Sequence, residues 1–249
     1  MRQILLKLKY LGTNYHGWQV QDNALTVQEV IQDALESIFH ERPDVKGCSR
    51  TDAGVHANMY CCSFCIDSDI DLYRLMGGLN AKLSPDISCF DASDVPLDFH
   101  PRYSATGKQY IYKIYNGVAR DPFYEGRALY YKPHIDADML DREAKAFIGT
   151  HDFTSFCGVK CDKEDRTRTI TDASVTRDGD LVTFSVTGDG FLYNMVRIMV
   201  GTLLFINEGK REMGSIPDII EAKDRTRAGQ TALPFGLYLN QVFYGGNDE

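Results

Sequence analysis

The feature of this 249-residue sequence that most constrains its fold is a change of hydrophobic period near the N-terminus. Lys7 and Lys9 alternate with apolar neighbours, which is the pattern of a strand with one buried face. Thr26 and Glu29 then form a capping box, and apolar residues follow at helical spacing, at positions 27, 30, 31, 34, 35, 38 and 39. The sequence therefore predicts a strand followed by an amphipathic helix.

The later pattern mixes the two element types without the strict alternation of a doubly wound sheet, which favours an α+β fold. A polar loop over residues 47–57 leads into a strand, and a proline-containing irregular stretch lies around residues 95–104. We place a boundary there, between an N-terminal half, 1–104, and a C-terminal half, 105–249. Further strands are predicted at 109–116, 170–177, 181–187 and 238–244, and helices at 69–79, 136–149, from 191 and at 217–223.

Composition excludes several classes of protein. The chain is 43% hydrophobic and 25% charged, unlike collagen-like or disordered chains. The least charged stretch, residues 191–207, contains Arg197 and is shorter than the roughly 20 apolar residues that a membrane span needs. Lys7 and Lys9 interrupt what would be the apolar core of a signal peptide, so we expect a cytoplasmic protein with no membrane partner.

The cysteines indicate a reducing compartment rather than disulfides or zinc. Their number is odd, and the chain is too large to need covalent cross-links. Cys62 and Cys65 have the spacing of a metal motif, but they lie on a predicted strand, where residues three apart point to opposite faces. We therefore expect no metal site and core cysteines at positions 48, 61, 62, 65, 89, 157 and 161.

The charge is unevenly distributed. The whole chain has a net charge of −8, but residues 100–132 contain six basic and two acidic residues. Eight aromatic residues lie in the same window, which includes Arg102 and Lys108. Cations and rings together suit contact with the phosphates and unstacked bases of a nucleic acid. A tyrosine-rich sheet whose basic residues face water is the other interpretation.

The loop at residues 47–57 holds the densest group of reactive side chains. It contains Arg50, Asp52, the turn glycine Gly54 and His56. Loops between strands often present such groups from a rigid scaffold. From its chemistry alone, Asp52 could be a nucleophile, a general base or an acceptor that caps the loop. We interpret His56 as packing within the loop.

Arg197 is the one charge in a strongly apolar predicted helix. A buried guanidinium needs a carboxylate partner, because its desolvation is otherwise uncompensated. Tyr193, Asn194, Arg197 and Gly201 share one helical stripe, so a polar seam could face a cleft. Alternatively, the guanidinium reaches water at the edge of the helix.

Taken together, several segments are similar to the tRNA pseudouridine synthase A family and follow its order. The most specific is Arg50-Thr-Asp-Ala-Gly-Val-His56, and the full set covers residues 15–19, 26–28, 49–57, 99–105, 108–112, 151–156, 194–197 and 236–239. The resemblance implies two related, ferredoxin-like α+β halves that share an extended, antiparallel-rich mixed sheet, with the active-site cleft between them. It also implies a homodimer that binds tRNA and isomerises uridines 38, 39 and 40 of the anticodon stem-loop without a metal or organic cofactor.

The resemblance also assigns roles to residues. Asp52 would be the nucleophile, Arg197 its ion-pair partner, and Tyr110 the ring that stacks on a flipped-out base. Arg50 would fill the space of the flipped nucleotide or hold its phosphate, and Leu237 would exclude water. Arg102 and Lys108 would contact the RNA. Two alternatives are a non-catalytic RNA-binding protein and a nucleotide-dependent oxidoreductase that uses Gly188 and Gly190, although Tyr193 replaces the third glycine of that motif.

Overall fold

The computed structural model describes residues 1–159 and 164–245, and its mixture of helices and sheet confirms the predicted α+β class. The strands are β1 (Arg2–Tyr10), β2 (Lys46–Gly47), β3 (His56–Ile66), β4 (Ile87–Val95), β5 (Ala105–Tyr115), β6 (Leu129–Tyr130), β7 (Gly149–Asp152), β8 (Thr167–Asp178), β9 (Leu181–Gly188) and β10 (Leu237–Tyr244). The α-helices are α1 (Val27–Phe39), α2 (Leu72–Lys82), α3 (Ala137–Ala144), α4 (Met195–Asn207) and α5 (Ile216–Ala222).

The chain forms two compact units. The first contains Met1–Thr106 and the chain from Tyr238 onward, and the second contains Gly107–Leu237. The boundary predicted at residue 104 differs from this division mainly at the C-terminus, where β10 joins the first unit. Tyr238 and Leu239 pair in parallel with His56 and Ala57 of β3, so backbone hydrogen bonding explains the difference. That residues 1–104 and 105–249 are two related halves stays a prediction.

In the first unit, the strand order is β4, β1, β3, β10. The short strand β2 also pairs with β3, in antiparallel orientation. The capping interaction predicted at α1 is present, because the Thr26 hydroxyl accepts a hydrogen bond from the Glu29 amide at 3.4 Å. The helix buries Val27, Ile31 and Leu35, as its apolar spacing predicts. The second helix begins three residues later than predicted, because Asp71 caps it by accepting from the Arg74 amide.

In the second unit, the strand order is β5, β9, β8, β7, and all these neighbours are antiparallel. The apolar helix α4 begins at Met195 rather than at the predicted residue 191. The reason is that Asn194 has a left-handed backbone with φ of 61°, which a continuing right-handed helix does not allow. The predicted helical stripe is therefore wrong for Tyr193 and Asn194, which precede the helix.

The cysteine prediction is tested for six of the seven residues. Cys48, Cys61, Cys62, Cys89 and Cys157 are buried, whereas Cys65 is exposed, and no disulfide joins these six. Cys161 lies outside the described residues. Within residues 1–159 and 164–245, no cluster of three or more His, Cys, Asp and Glu side chains could hold a metal ion. In the same residues, no helix has the length and apolar composition that crossing a bilayer requires.

Candidate active site

Asp52 lies in a loop that we call the Asp52 loop, residues 48–55, between β2 and β3. A turn forms around the aspartate, because the Val55 amide donates to the Asp52 carbonyl at 3.1 Å. The Asp52 side chain is half-buried, whereas Thr51 and Val55 on either side are buried. The loop thus packs its flanking residues into the first unit and leaves the carboxylate partly accessible.

A preceding segment, residues 12–18, packs directly against the Asp52 loop. The Trp18 amide donates to the Thr51 carbonyl at 3.1 Å, and the Gly54 amide donates to the Tyr15 carbonyl at 3.2 Å. Gly17 has φ of +89°, and a Cβ there would lie 2.4 Å from the Thr51 carbonyl oxygen. Because the two backbones touch, a side chain at this position would displace the loop.

Two tyrosines hold the Asp52 loop from the sheet side. The Tyr10 hydroxyl shares a 2.9 Å hydrogen bond with the Thr51 hydroxyl. The Tyr60 hydroxyl donates to the Ser49 carbonyl, and the Tyr60 ring stacks on Trp18 with ring centres 4.0 Å apart. Burial raises the pKa of Tyr60 well above its ordinary value, so this hydroxyl keeps its proton and remains a donor.

His56 closes the loop at its C-terminal end. Its side chain is buried, and its Nδ1 accepts a 2.9 Å hydrogen bond from the Gly12 amide. Its ring packs on Tyr238 with centres 4.6 Å apart. An Nδ1 that accepts carries no proton, so this bond requires the neutral ring with its proton on Nε2. These contacts support the interpretation of His56 as a packing residue.

The 12–18 segment is itself held by Asp86. The Tyr15 hydroxyl donates to one carboxylate oxygen at 2.7 Å, and the Asn14 amide group donates to the other at 3.1 Å. Ser84 donates at 2.6 Å. Although burial alone would raise the pKa of Asp86, these hydrogen bonds hold it below its ordinary value.

The other two predicted residues of the first unit lie on its surface. Arg50 is exposed, two residues before Asp52. Arg102 is half-buried in the connection between β4 and β5, with its guanidinium carbon 5.7 Å from the centre of the Tyr103 ring.

Tyr110 and Lys108 lie on β5 in the second unit. They are two residues apart on a strand, so their side chains leave the same face of the sheet. Tyr110 is 7% exposed, and its ring meets Phe191 edge-on with centres 5.1 Å apart. The aromatic segment is therefore divided, with Tyr110 and Tyr112 buried and Tyr103 exposed.

Arg197 lies in the first turn of α4, in the second unit. Its Nε donates to the Ala232 carbonyl at 2.7 Å, and one terminal nitrogen donates to the Asn194 side-chain oxygen at 2.8 Å. Asn194, whose left-handed backbone precedes the start of the helix, thus also orients the guanidinium through its side-chain oxygen. Leu237, also in this unit, is buried at the start of β10.

Sequence patterns did not predict the residues that fix the Asp52 loop, namely Tyr10, Gly12, Trp18 and Tyr60. Trp18 lies in the segment 15–19 that carries the resemblance, but no local pattern indicates its contact with Tyr60. The predicted pairing of Asp52 with Arg197 and the stacking role of Tyr110 stay predictions.

Comparisons with known proteins identify the family to which the chain is similar. A family model described as tRNA pseudouridine synthase matches residues 8–104 and 144–245. The chain is 44% identical over 244 residues to tRNA pseudouridine synthase A of Acetivibrio thermocellus, covering 98% of this chain and 100% of that protein. It is 43% identical over 245 residues to the protein of the same name from Ruminiclostridium cellulolyticum, with the same coverage of both chains.

A crystal structure of a Cbf5-Nop10-Gar1 complex is among the solved structures that match. The chain covers 60% of the matched chain, with a TM-score of 0.40 and 12% identity, which is too distant to support an inference about function. The family match covers most of the chain, and the relatives match it from end to end. The chain therefore belongs to the tRNA pseudouridine synthase family, whose members are isomerases that convert uridine to pseudouridine.

Proposed function

We propose that the protein isomerises uridines 38, 39 and 40 in the anticodon stem-loop of tRNA, as a cytoplasmic homodimer, with Asp52 as the nucleophile. The single observation that carries this proposal is the Asp52 loop, which presents a partly accessible carboxylate from a backbone fixed by several hydrogen bonds. A non-catalytic RNA-binding protein would not need a carboxylate in such a loop.

The reaction rearranges one nucleotide without changing its composition. The bond between N1 of uracil and C1′ of the ribose breaks, the base turns, and C5 bonds to C1′. The proton leaves C5, and N1 ends protonated. Asp52 supports cleavage by attacking C1′, by attacking C6 of the base, or by assisting elimination at the sugar.

The fixed backbone around Asp52 favours this role because a positioned carboxylate needs little reorganisation during the reaction. Thr51 is held by Tyr10 and Trp18, and Gly54 by Tyr15. These contacts are on Thr51, next to Asp52, and on Gly54, two residues after it, so they fix the backbone that carries the carboxylate.

Arg197 is proposed to pair with Asp52 and to keep it ionised in a cleft that would otherwise raise its pKa. Its existing bonds to Ala232 and Asn194 favour this role, since a guanidinium with a fixed direction is suited to bind a carboxylate. We propose no metal or organic cofactor, because the reaction transfers no electrons and its charges can be met by Asp52 and Arg197.

Tyr110 is proposed to stack on the uracil, which must leave the helix before its C5 and glycosidic bond become accessible. Its ring is held edge-on by Phe191, which supports a stacking surface of defined orientation. Proton transfer from C5 is a second role for the phenol, whose ordinary pKa is about 10.

The remaining predicted residues are proposed to bind the RNA around the reacting nucleotide. Arg50 would occupy the vacated space or hold the phosphate, which its exposed position allows. Leu237 would exclude water from the detached base. Arg102 and Lys108 would contact phosphates.

The test uses unmodified tRNA transcripts, each of which contains uridine at only one of positions 38, 39 and 40. Pseudouridine is mapped chemically after incubation with the purified protein. We expect modification at these positions and none in transcripts in which cytidine replaces them. Modification of uridines elsewhere in the transcript would contradict the proposed anticodon stem-loop substrate.

A further inference from the structure

The connection between β4 and β5 forms a surface loop with a fixed shape. Phe99 donates its amide to the Pro96 carbonyl, and Ser104 donates to the His100 carbonyl, each at 2.9 Å. Buried Gln3 donates to the Phe99 carbonyl at 2.7 Å, and the Tyr244 hydroxyl donates to the Pro101 carbonyl at 2.9 Å. Residues 96–104 are therefore tied to β1 and β10 within the first unit.

Tyr103 lies at the surface of this loop, and its position is supported although its ring is accessible. The residue is 76% exposed. The His100 ring packs against it with centres 4.4 Å apart, and the Arg102 guanidinium carbon lies 5.7 Å from the ring centre. The Arg102 amide also donates to His100 Nδ1 at 3.1 Å, which fixes the imidazole. A large exposed aromatic surface is thus held in place by the two residues beside it.

Arg102 supplies a cation beside this ring. Partial burial lowers the pKa of the His100 imidazole that packs against the ring, and the charges of Lys46 and Arg102 lower it further. A ring beside a cation offers both a π-face for a base and positive charge for the adjoining phosphates.

Another exposed tyrosine of the first unit provides a contrast. Tyr73 is 80% exposed, slightly more than Tyr103, but it follows Asp67, Asp69 and Asp71 in the sequence. Carboxylates at this position would repel phosphates. The two tyrosines are thus similar in exposure, and the contact with Arg102 is the feature on which the proposed role of Tyr103 depends.

We propose that Tyr103 stacks on an unpaired base of the RNA substrate, outside the reacting nucleotide, while Arg102 contacts a neighbouring phosphate. The proposal rests on the proposed function and adds a second base-binding position to it. An unpaired base matches this chemistry better than a protein partner does, because the exposed ring is contacted by a guanidinium and an imidazole, which suit a base and its phosphate.

The test measures equilibrium binding of an unmodified tRNA transcript to full-length protein carrying Asp52→Asn, which prevents turnover during the measurement. Stacking of one base on an aromatic ring corresponds to a change in affinity of about 5- to 150-fold. We expect Tyr103→Leu to raise Kd within that range and Tyr103→Phe to change it less than about 2-fold. Tyr73→Leu is the matched control and should leave Kd unchanged.

Salt dependence tests the proposed phosphate contacts. Loss of one phosphate contact should reduce the slope of log K against log salt by about 0.7 to 1. We expect this reduction for Arg102→Gln and not for Tyr103→Leu. Circular dichroism and thermal unfolding of each variant establish that the fold is retained.

Equal affinities for Tyr103→Leu and Tyr73→Leu would overturn the proposal. Sedimentation measures whether Tyr103→Leu dissociates into monomers. If its loss of affinity follows such dissociation, the proposal is overturned and the ring is assigned to a protein contact. If the parent Asp52→Asn protein binds no tRNA and the unsubstituted protein modifies none, the proposed function fails as well. Modification by the unsubstituted protein separates that failure from failure of the Tyr103 proposal alone.

Discussion

Replacement of His56 should separate its hydrogen-bonding role from its packing role. In His56→Leu, side-chain volume is roughly retained, but the buried Gly12 amide loses the acceptor that now lies at 2.9 Å. A buried donor without a partner costs about 1 to 3 kcal/mol. Loss of the ring contact with Tyr238 adds about 0.5 to 1.5 kcal/mol. We therefore expect the free energy of unfolding to fall by about 1.5 to 4.5 kcal/mol.

His56→Asn is the matched variant, because its side-chain oxygen can take the position of Nδ1. It restores the acceptor for Gly12 but loses the ring contact, so the free energy of unfolding should fall less than in His56→Leu, by about 1 kcal/mol. Urea unfolding of both variants measures this difference directly.

The same pair predicts different effects on turnover. The Gly12 contact positions the loop that carries Asp52, and a displacement of about 1 Å at a reacting group can cost about 100-fold in rate. We expect kcat to fall about 100-fold in His56→Leu and less than about 5-fold in His56→Asn, with smaller changes in KM. Equal kcat values for the two variants, at a temperature where both are folded, would refute the proposed role of this hydrogen bond.

Two further predictions concern Arg197 and Asp86. Arg197→Met removes the hydrogen bonds to Ala232 and Asn194, so we expect the free energy of unfolding to fall by about 1 to 3 kcal/mol. We also expect pseudouridine formation to become undetectable. Full activity of this variant would contradict the proposed pairing of Arg197 with Asp52. The pKa of Asp86 is below its ordinary value in the fold, so its contribution to stability is complete above about pH 4 and is lost as the pH falls through the lowered value. The urea midpoint of the unsubstituted protein should therefore fall more steeply from pH 5 to pH 3 than that of Asp86→Asn, and parallel curves would refute this.

Local patterns predicted the elements well where short-range interactions decide them. Helix α1 follows from its capping residue Thr26 and the spacing of its apolar positions. The start of α4 was placed too early because Phe191 to Asn194 are compatible with a helix by composition. The left-handed conformation of Asn194 excludes them, and its side chain accepts a hydrogen bond from Arg197.

The features that local sequence patterns could not predict depend on contacts between residues far apart in the chain. β10 pairs with β3 about 180 residues away in the chain, and no local pattern specifies that partner. The Asp52 loop was identified from its residues, but its support by Tyr10, Gly12 and Trp18 depends on how separate segments meet. Gly12 illustrates this, because a Cβ there would lie 1.9 Å from the Val55 carbonyl oxygen.

The most direct test of the central claim is single-turnover pseudouridine formation by Asp52→Asn on an unmodified tRNA transcript. Asparagine keeps the size of the side chain and removes its negative charge, so the loop contacts of Thr51 and Gly54 should remain. We predict no detectable pseudouridine, with tRNA affinity within about tenfold of the unsubstituted protein, or roughly 1.4 kcal/mol. Pseudouridine formation at a comparable rate would contradict the assignment of Asp52 as the nucleophile.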